Sequence, residues 1–172
     1  MSTVTDIGLE TMTGADLDEV VAIDAETSST PWSWSLFNDE LARPESRWYV
    51  VARIDDEIVG FAGLMVVPDP DGDQAHVTTI AVSPEFRRRG IGARLMSALG
   101  RHARGRGCVS WTLEVRESNH AAIELYRRFG FAPVGTRPSY YSGNETALIM
   151  WCHDLAADDY EAVLSGKDGS QS

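Results

Sequence analysis

A run of three arginines lies directly before two closely spaced glycines in the stretch "SPEFRRRGIGARL" (residues 83–95). The chain has a formal net charge of −11, yet the segment from Phe86 to Leu113 contains seven arginines and no Asp or Glu. Glycines let the backbone approach a ligand closely, and the N–H groups at the start of a helix favour an anion. Guanidinium groups pair with phosphate oxygens. The pattern therefore predicts an anion-binding turn for a phosphate group.

Three phosphate ligands and one structural explanation are possible for this turn. A Walker loop requires GxxxxGK[ST], and the Lys-Ser/Thr pair of that motif does not follow these glycines. A dinucleotide-binding turn requires GxGxxG after an early strand, whereas Gly90 and Gly92 are followed by Leu95 and lie in mid-chain. The third ligand is the pyrophosphate of coenzyme A. The structural explanation is a solvated arginine face on a helix that begins with glycine.

The composition indicates one globular domain that acts on a basic partner. A chain of 172 residues, 43% of them hydrophobic, is long enough to build a core. Its net acidity argues against nucleic-acid binding, which needs a basic face, and suits a basic protein. The sequence shows no membrane span and no secretory signal pattern, so we expect a cytoplasmic protein with no membrane contact.

Cysteine and histidine usage predicts neither a disulfide framework nor a metal site. Cys108 and Cys152 are far apart and belong to no CxxC pair, which is typical of a reduced compartment. Cys108 begins a strand of buried character, so we expect an inert thiol. The histidines show no ligand spacing; they are His76, His102, His120 and His153.

Hydrophobic periodicity and turn residues predict a mixed α/β domain over residues 1–153, with antiparallel strands first and a βαβα pattern in the second half. We expect the acidic segment 154–172 to be a loosely ordered tail. The predicted strands are 4–10, 47–54, 58–67, 75–82, 108–115, 132–137 and 146–153, and the predicted helices are 13–26, 31–44, 90–104 and 119–130.

Two longer stretches resemble a known superfamily. "IAVSPEFRRRGIG" resembles the acyl-CoA motif of the GNAT superfamily of N-acetyltransferases, with Arg87, Gly90 and Gly92 at its Arg/Gln-x-x-Gly-x-Gly/Ala positions. "WTLEVRESNHAAIELYRRFGF" resembles the signature of its ribosomal-protein-alanine N-acetyltransferase (RimI-type) subgroup, as do "PWS" and "RPSYY". The resemblance covers roughly residues 3–153. It implies the GNAT fold, a mostly antiparallel twisted sheet of six to seven strands flanked by about four helices.

The same resemblance implies acetyl-CoA as cosubstrate. The acetyl group would lie along the strand 80–82, where a backbone N–H forms a small oxyanion hole, and the pyrophosphate would lie over residues 88–92. Asn119 would contact the coenzyme from the next helix, besides capping that helix. The implied coenzyme-binding residues are Ile80, Ala81, Val82, Arg87, Arg88, Arg89, Gly90, Ile91, Gly92, Ala93 and Asn119.

Glu114 is the candidate general base. Strand alternation places Glu114 and Arg116 on one face and the apolar Trp111, Leu113 and Val115 on the other. The carboxylate could pair with Arg116 on the same face, or it could deprotonate an incoming ammonium directly or through water. An α-amine with a pKa near 8 requires roughly 1.4 kcal/mol for neutralisation at pH 7, and lysine requires about 4.6. A chain N-terminus is therefore the easier acceptor.

Tyr126 is the candidate acid that protonates the leaving thiolate, because a phenol with a pKa of about 10 is protonated at neutral pH. The alternative is a core aromatic, since Ile123, Tyr126 and Phe129 recur every three residues on one helical stripe. The spacing from Glu114 to Tyr126 covers one loop and two helical turns. That spacing could bring both side chains to one cleft.

Three aromatic residues, Trp32, Tyr140 and Tyr141, either line a peptide groove or belong to the core. We predict an enzyme that acetylates a protein N-terminal amine by direct attack, with the N-terminal alanine of a small-subunit ribosomal protein as its acceptor. Two rivals remain open. One is an acetyltransferase for a small amine or a lysine side chain, and the other is a coenzyme-A-binding regulatory module without turnover.

Overall fold

The computed structural model describes residues 6–141 and 145–168, without the side chains of residues 139–141 and 167–168. The strands within these residues are β1 (Gly8–Thr11), β2 (Arg47–Ile54), β3 (Glu57–Val67), β4 (Gln74–Val82), β5 (Ser110–Arg116), β6 (Ala132–Tyr141) and β7 (Glu145–Cys152). The α-helices are α1 (Leu17–Thr27), α2 (Trp34–Leu41), α3 (Ile91–Gly105), α4 (His120–Arg128) and α5 (Tyr160–Asp168). Short 3₁₀ turns at Gly14–Asp16 and Pro84–Phe86 precede α1 and α3.

The described strands form one seven-stranded sheet in the order β1-β2-β3-β4-β5-β7-β6. Neighbouring strands are antiparallel except for β4 and β5, which run parallel. The predicted mixed α/β class with a mostly antiparallel sheet is confirmed.

Two apolar layers cover the faces of this sheet. On one face α3 supplies Ile91, Leu95 and Leu99, which recur every four residues and are buried against the strands. On the opposite face α1 and α2 supply Leu17 and Phe37. Because side chains alternate along a strand, β2 and β3 contribute residues to both layers.

The segment after residue 153 packs on the core, so the prediction of a loosely ordered tail is wrong for residues 154–168. Leu155, Tyr160 and Leu164 are all buried. The indole N–H of Trp111 donates a hydrogen bond to the Tyr160 hydroxyl at 3.3 Å, and the Ser97 hydroxyl donates to the Leu164 carbonyl at 3.0 Å. A few apolar residues, two of them one helical turn apart on α5, anchor a segment that is otherwise polar and acidic.

Candidate active site

Strands β4 and β5 begin as paired neighbours and then separate. Their parallel pairing joins Gln74–His76 to Ser110–Thr112, whereas β4 continues to Val82 and β5 to Arg116. The carboxyl-terminal halves of the two strands therefore flank a gap in the sheet.

The backbone groups of Ile80 and Val82 face this gap. The N–H of Ser83 donates to the carbonyl of Val59 on β3 at 2.8 Å. Hydrogen-bonding direction alternates from residue to residue in an antiparallel pair, so the N–H and C=O groups of Ile80 and Val82 point away from β3. The guanidinium Nε of Arg87 donates to the Val82 carbonyl at 3.3 Å, which agrees with this orientation. The β4 edge therefore presents amide donors to the gap.

The glycine turn lies at the start of α3, just beyond the end of β4. Gly90 is the N-cap residue with a φ of +79°, a left-handed conformation that favours glycine. The N–H of Arg94 donates to the Gly90 carbonyl at 3.0 Å, which is the first bond of the helix. A left-handed residue before a helical one turns successive N–H groups toward one point and forms an anion-binding concavity. The N–H groups that precede the first helical bond belong to Ile91, Gly92 and Ala93.

The three arginines of the turn are exposed and differ in conformation. Arg87 contacts the Val82 carbonyl, and the Arg89 guanidinium lies 5.0 Å from the centre of the Phe86 ring. Arg88 has a φ of +67°, which is rare for a residue with a side chain. The amide concavity and these guanidinium groups together give the geometry and positive charge that a phosphate requires.

Helix α4 approaches the turn closely. A Cβ atom at Gly92 would lie 3.3 Å from a methyl group of Leu125. Asn119 caps α4, because its side-chain oxygen accepts the N–H of Ala122 at 3.2 Å. The predicted capping role of Asn119 is confirmed, and its contact with a coenzyme stays a prediction.

Glu114 lies on the face of β5 that is turned away from α3. The predicted alternation is confirmed, since Trp111, Leu113 and Val115 are buried and Glu114 is half-buried with its two same-face neighbours. Its carboxylate Oε2 lies 3.3 Å from a guanidinium nitrogen of Arg137 on β6. Glu114 therefore stands beside the gap with a cationic partner from another strand.

Arg116 connects two other parts of the chain. Strand alternation had suggested it as a partner for Glu114. Its guanidinium lies 3.3 Å from the carboxylate of Glu145 at the start of β7 and also hydrogen-bonds the hydroxyl of Ser29 in the α1–α2 loop. A hydrogen bond from Ser118 lowers the pKa of Glu145, and the Arg116 guanidinium lowers it further. These contacts connect the loops on either side of the Glu114 face.

His76 is a residue near the site that sequence reasoning missed. It pairs in register with Thr112 of β5, so its side chain shares a face with Glu114. Burial lowers the pKa of His76, and the nearby Glu114 carboxylate opposes that shift. The sequence signal that could have identified His76 is its polar side chain in a strand of alternating apolar residues.

Tyr126 is buried in the apolar layer on the α3 side, and its ring centre lies 6.2 Å from that of Phe131. Leu113 and Val115 belong to the same layer. Glu114 points to the opposite face of the sheet, so Tyr126 and Glu114 lie on opposite sides of it. The core-aromatic interpretation of Tyr126 is confirmed, and its role as an acid stays a prediction.

Aromatic residues of the α1–α2 loop and its neighbours pack on the side of the sheet opposite α3. Trp32 packs on Phe37 and Tyr49, with ring centres 5.0 and 6.5 Å apart, and its backbone N–H donates to the buried Asp24 carboxylate at 2.7 Å. Burial raises the pKa of Asp24, an effect that this hydrogen bond opposes. Trp32 is therefore partly a core residue. The side chains of Tyr140 and Tyr141 lie outside the described residues.

Exposed apolar side chains on α2 are a feature that the sequence reasoning did not single out. Trp34 is 45% exposed and Leu36 is 40% exposed, and both follow the loop that carries Trp32. An acceptor groove beside this loop would have an apolar wall there.

A partly buried hydrogen-bonded network lies at the register shift between β3 and β4. The Tyr49 hydroxyl lies 2.7 Å from the Glu40 carboxylate of α2 and 2.9 Å from the Thr78 hydroxyl, where the β3–β4 register shifts. Arg47 pairs with the same carboxylate at 3.0 Å. Gly63 of β3 leaves room for the Tyr49 ring, which a Cβ atom would approach to 2.1 Å. The network fixes β4 just before the residues that face the gap.

Neither a metal cluster nor a membrane-spanning helix occurs in the part of the chain that the structure describes. No set of three or more His, Cys, Asp or Glu side chains there could hold a metal ion. No helix among residues 6–141 and 145–168 combines the length and apolar character needed to cross a bilayer.

A sheet parted between two parallel strands, with a turn that presents backbone N–H groups and arginines at one end of the gap, is typical of an acyl-CoA-dependent transferase. Residues 16–131 match the family model described as the Acetyltransferase (GNAT) family. The chain therefore belongs to the GNAT family of acetyltransferases.

The chain is similar to several N-terminal acetyltransferases. N-alpha-acetyltransferase RimI of Mycobacterium tuberculosis is 41% identical over 132 residues, which cover 76% of this chain and 81% of the relative. The [ribosomal protein bS18]-alanine N-acetyltransferase of Salmonella typhimurium is 37% identical, over 78% and 89% of the two chains. The crystal structure of the ribosomal-protein-S18-alanine N-acetyltransferase from Escherichia coli superposes with a TM-score of 0.77 at 30% identity, covering 90% of this chain and 98% of that chain.

Proposed function

We propose that this GNAT acetyltransferase moves the acetyl group of acetyl-CoA to the α-amine of a protein N-terminus. We further propose that the acceptor is the N-terminal alanine of a small-subunit ribosomal protein. The observation that supports the reaction is the gap between β4 and β5, which has amide donors along one edge and Glu114 at the other. The names of the relatives support the acceptor.

The residues around the gap suit coenzyme A. The N-terminal N–H groups of α3 and the arginines at 87–89 would bind the pyrophosphate, because they offer a concave set of donors and positive charge. Amide groups of Ile80 and Val82 would donate to the thioester carbonyl and stabilise its developing negative charge. Asn119 would contact the coenzyme from α4. Acetyl-CoA would supply the thioester whose acyl group is transferred.

Glu114 would accept the proton of the incoming ammonium, directly or through one water molecule. At pH 7 an α-amine with a pKa near 8 has about 200 times more neutral form than lysine at about 10.4. A carboxylate base therefore needs less free energy to deprotonate a chain N-terminus than to deprotonate a lysine side chain.

Tyr126 would donate its phenolic proton to the thiolate as it leaves toward the α3 side. The amine and the leaving group would use opposite faces of the sheet, in agreement with the positions of Glu114 and Tyr126. Burial raises the pKa of the Cys108 thiol, so this thiol stays protonated and is a poor nucleophile. Direct attack by the amine is the mechanism that fits these positions.

The charge of the chain agrees with a basic acceptor. Its net charge is −11, and ribosomal proteins are basic, so opposite charges favour encounter. Such an acceptor would be met in the cytoplasm, which is the proposed place of action. Comparison of N-terminal acetylation in cells with and without this protein, by mass spectrometry, would identify the acceptor.

Steady-state release of free thiol tests the acceptor class. We expect the highest kcat/KM with an alanine-initiated peptide, compared with a polyamine and with an N-terminally blocked peptide that contains an internal lysine. Preference for the polyamine or the blocked peptide would contradict the N-terminal assignment. Coenzyme binding without thiol release for any amine would indicate a binding module and contradict the enzymatic proposal.

A further inference from the structure

The ion pair between Arg137 and Glu114 spans a strand that lies between them. Arg137 of β6 is opposite Ala147 of β7, and Glu114 of β5 is opposite Ile149 of β7. The Arg137 side chain must therefore cross β7 diagonally to place a guanidinium nitrogen 3.3 Å from Glu114 Oε2. Glu114 is 16% exposed, whereas Arg137 is 55% exposed.

Stability is a weak reason for this pair. Water reaches the Arg137 end of the pair, and ion pairs that water screens contribute about 0–1 kcal/mol. A long arginine side chain also loses rotamer freedom when it is held in one geometry. A guanidinium carries five N–H donors in one plane, so it can bind a carboxylate together with a second oxygen. Its exposure on the face where the acceptor would arrive suits that second contact.

We propose that Arg137 determines acceptor specificity by donating a hydrogen bond to the carbonyl oxygen of the acceptor's first residue, while Glu114 takes the amine of that residue. This inference rests on the proposed function. In a peptide the terminal nitrogen and the carbonyl oxygen of the same residue are roughly 3 Å apart, given the bond lengths between them. The Arg137–Glu114 separation of 3.3 Å matches that spacing.

Other amines lack this pair of groups. A lysine amine is separated from its own backbone carbonyl by a four-carbon stem, and a polyamine has no carbonyl at all. The pair would therefore recognise an amine next to a carbonyl, which is the chemical signature of a chain N-terminus. Arg116 is also opposite Ala147, but its contacts with Ser29 and Glu145 hold the surrounding loops.

The test combines a change in Arg137 with a change in the acceptor. An alanine-initiated peptide is compared with the same peptide whose first carbonyl oxygen is replaced by sulfur, a weaker hydrogen-bond acceptor. We expect the wild-type chain to prefer the oxygen peptide about tenfold in kcat/KM. In Arg137→Met we expect kcat/KM for the oxygen peptide to fall by about 10- to 100-fold, as for a lost bond from a charged donor, and the preference to approach one. Arg137→Lys keeps a single donor group and should restore part of the preference.

Arg101→Met is the matched control, because Arg101 pairs with Glu161 at 3.2 Å on the packed α3–α5 side of the fold. We expect this variant to keep the wild-type kcat/KM for both peptides. Coenzyme affinity, measured by titration without acceptor, should be unchanged in Arg137→Met.

Each contrary result has a separate meaning. Equal oxygen preference in Arg137→Met and the wild type would overturn the inference, because Arg137 would then only position Glu114. A loss of coenzyme affinity in Arg137→Met would also overturn it, because the residue would then support the gap itself. Failure of the wild-type chain to acetylate either peptide would instead overturn the proposed function on which the inference rests.

Discussion

Replacement of Gly90 by valine should weaken coenzyme binding while the chain stays folded. Gly90 has a φ of +79° at the start of α3, and no atom of the described residues beyond its own chain segment lies within 4 Å of where its Cβ would be. The penalty therefore comes from the backbone, since an L-residue in the left-handed region costs roughly 1–2 kcal/mol. Gly107, with a φ of +86° and equally open surroundings, lies just after the other end of α3 and provides a matched control.

Gly90→Val and Gly107→Val should lower the free energy of unfolding by similar amounts but differ in coenzyme affinity. Relief of the strain at residue 90 would rotate the neighbouring peptide groups and misdirect the N–H groups at the start of α3. Each hydrogen bond lost to a charged phosphate is worth about 1.5–3 kcal/mol, so one lost bond weakens binding by roughly 10- to 100-fold. Gly107→Val leaves those N–H groups in place and should bind as the wild type does.

Urea unfolding measures the first quantity, and calorimetric titration with coenzyme A measures the second. We expect the two variants to lose a similar free energy of unfolding. A difference between their coenzyme affinities then reports on the turn and not on general destabilisation. Wild-type affinity in Gly90→Val, or an equal loss of affinity in both variants, would refute the assignment of the turn as the pyrophosphate site.

Three further predictions follow from the site. Gly63→Ala should lower the free energy of unfolding by about 1–3 kcal/mol or more, because its Cβ would meet the Tyr49 ring at 2.1 Å; an unchanged urea midpoint would contradict this packing. Glu114→Gln and Tyr126→Phe should each reduce kcat by roughly 10²- to 10⁴-fold while coenzyme affinity is retained, and wild-type turnover in either variant would remove that residue from the mechanism. Burial lowers the pKa of His76, so the unfolded chain gains the proton first and stability falls as the pH drops below about 6.5. His76→Gln should lose less stability than the wild type between pH 7.5 and 5.5, and equal losses in urea midpoint would show that His76 has no part in it.

Local sequence signals predicted most of the fold. The β2–β3 hairpin was expected at 47–54 and 58–67, and its turn residues Asp55 and Asp56 have φ values of +50° and +71°, as a tight hairpin turn requires. Helix α5 was missed because Leu155, Tyr160 and Leu164 are few among polar and acidic residues. Composition gives the average polarity of a segment. Packing of the segment on the core depends instead on a small number of apolar residues that fit a complementary surface.

The candidate site was predictable where it depends on one element and not where it depends on several. Strand alternation alone placed Glu114 on the polar face of β5, and the glycine pattern alone placed the turn at the start of α3. Glu114 pairs with Arg137, a contact that follows from the register of β5, β7 and β6 together. Spacing within β5 suggested Arg116 as the partner of Glu114. Such spacing describes one strand and does not tell which strands become neighbours in the sheet.

In the proposed mechanism, the gap between β4 and β5 lets two groups on opposite faces of a sheet serve one reaction. Sequence spacing suggested that Glu114 and Tyr126 share a cleft, but the alternation of β5 sends Glu114 to one face while Tyr126 packs with Leu113 on the other. In a continuous sheet the backbone would separate a base from an acid placed in this way. Where the strands part, a bound carbonyl can be reached by an amine from one face while the thiolate is protonated from the other. The proposed mechanism therefore needs the short β4–β5 pairing, since longer pairing would close the passage between the two groups.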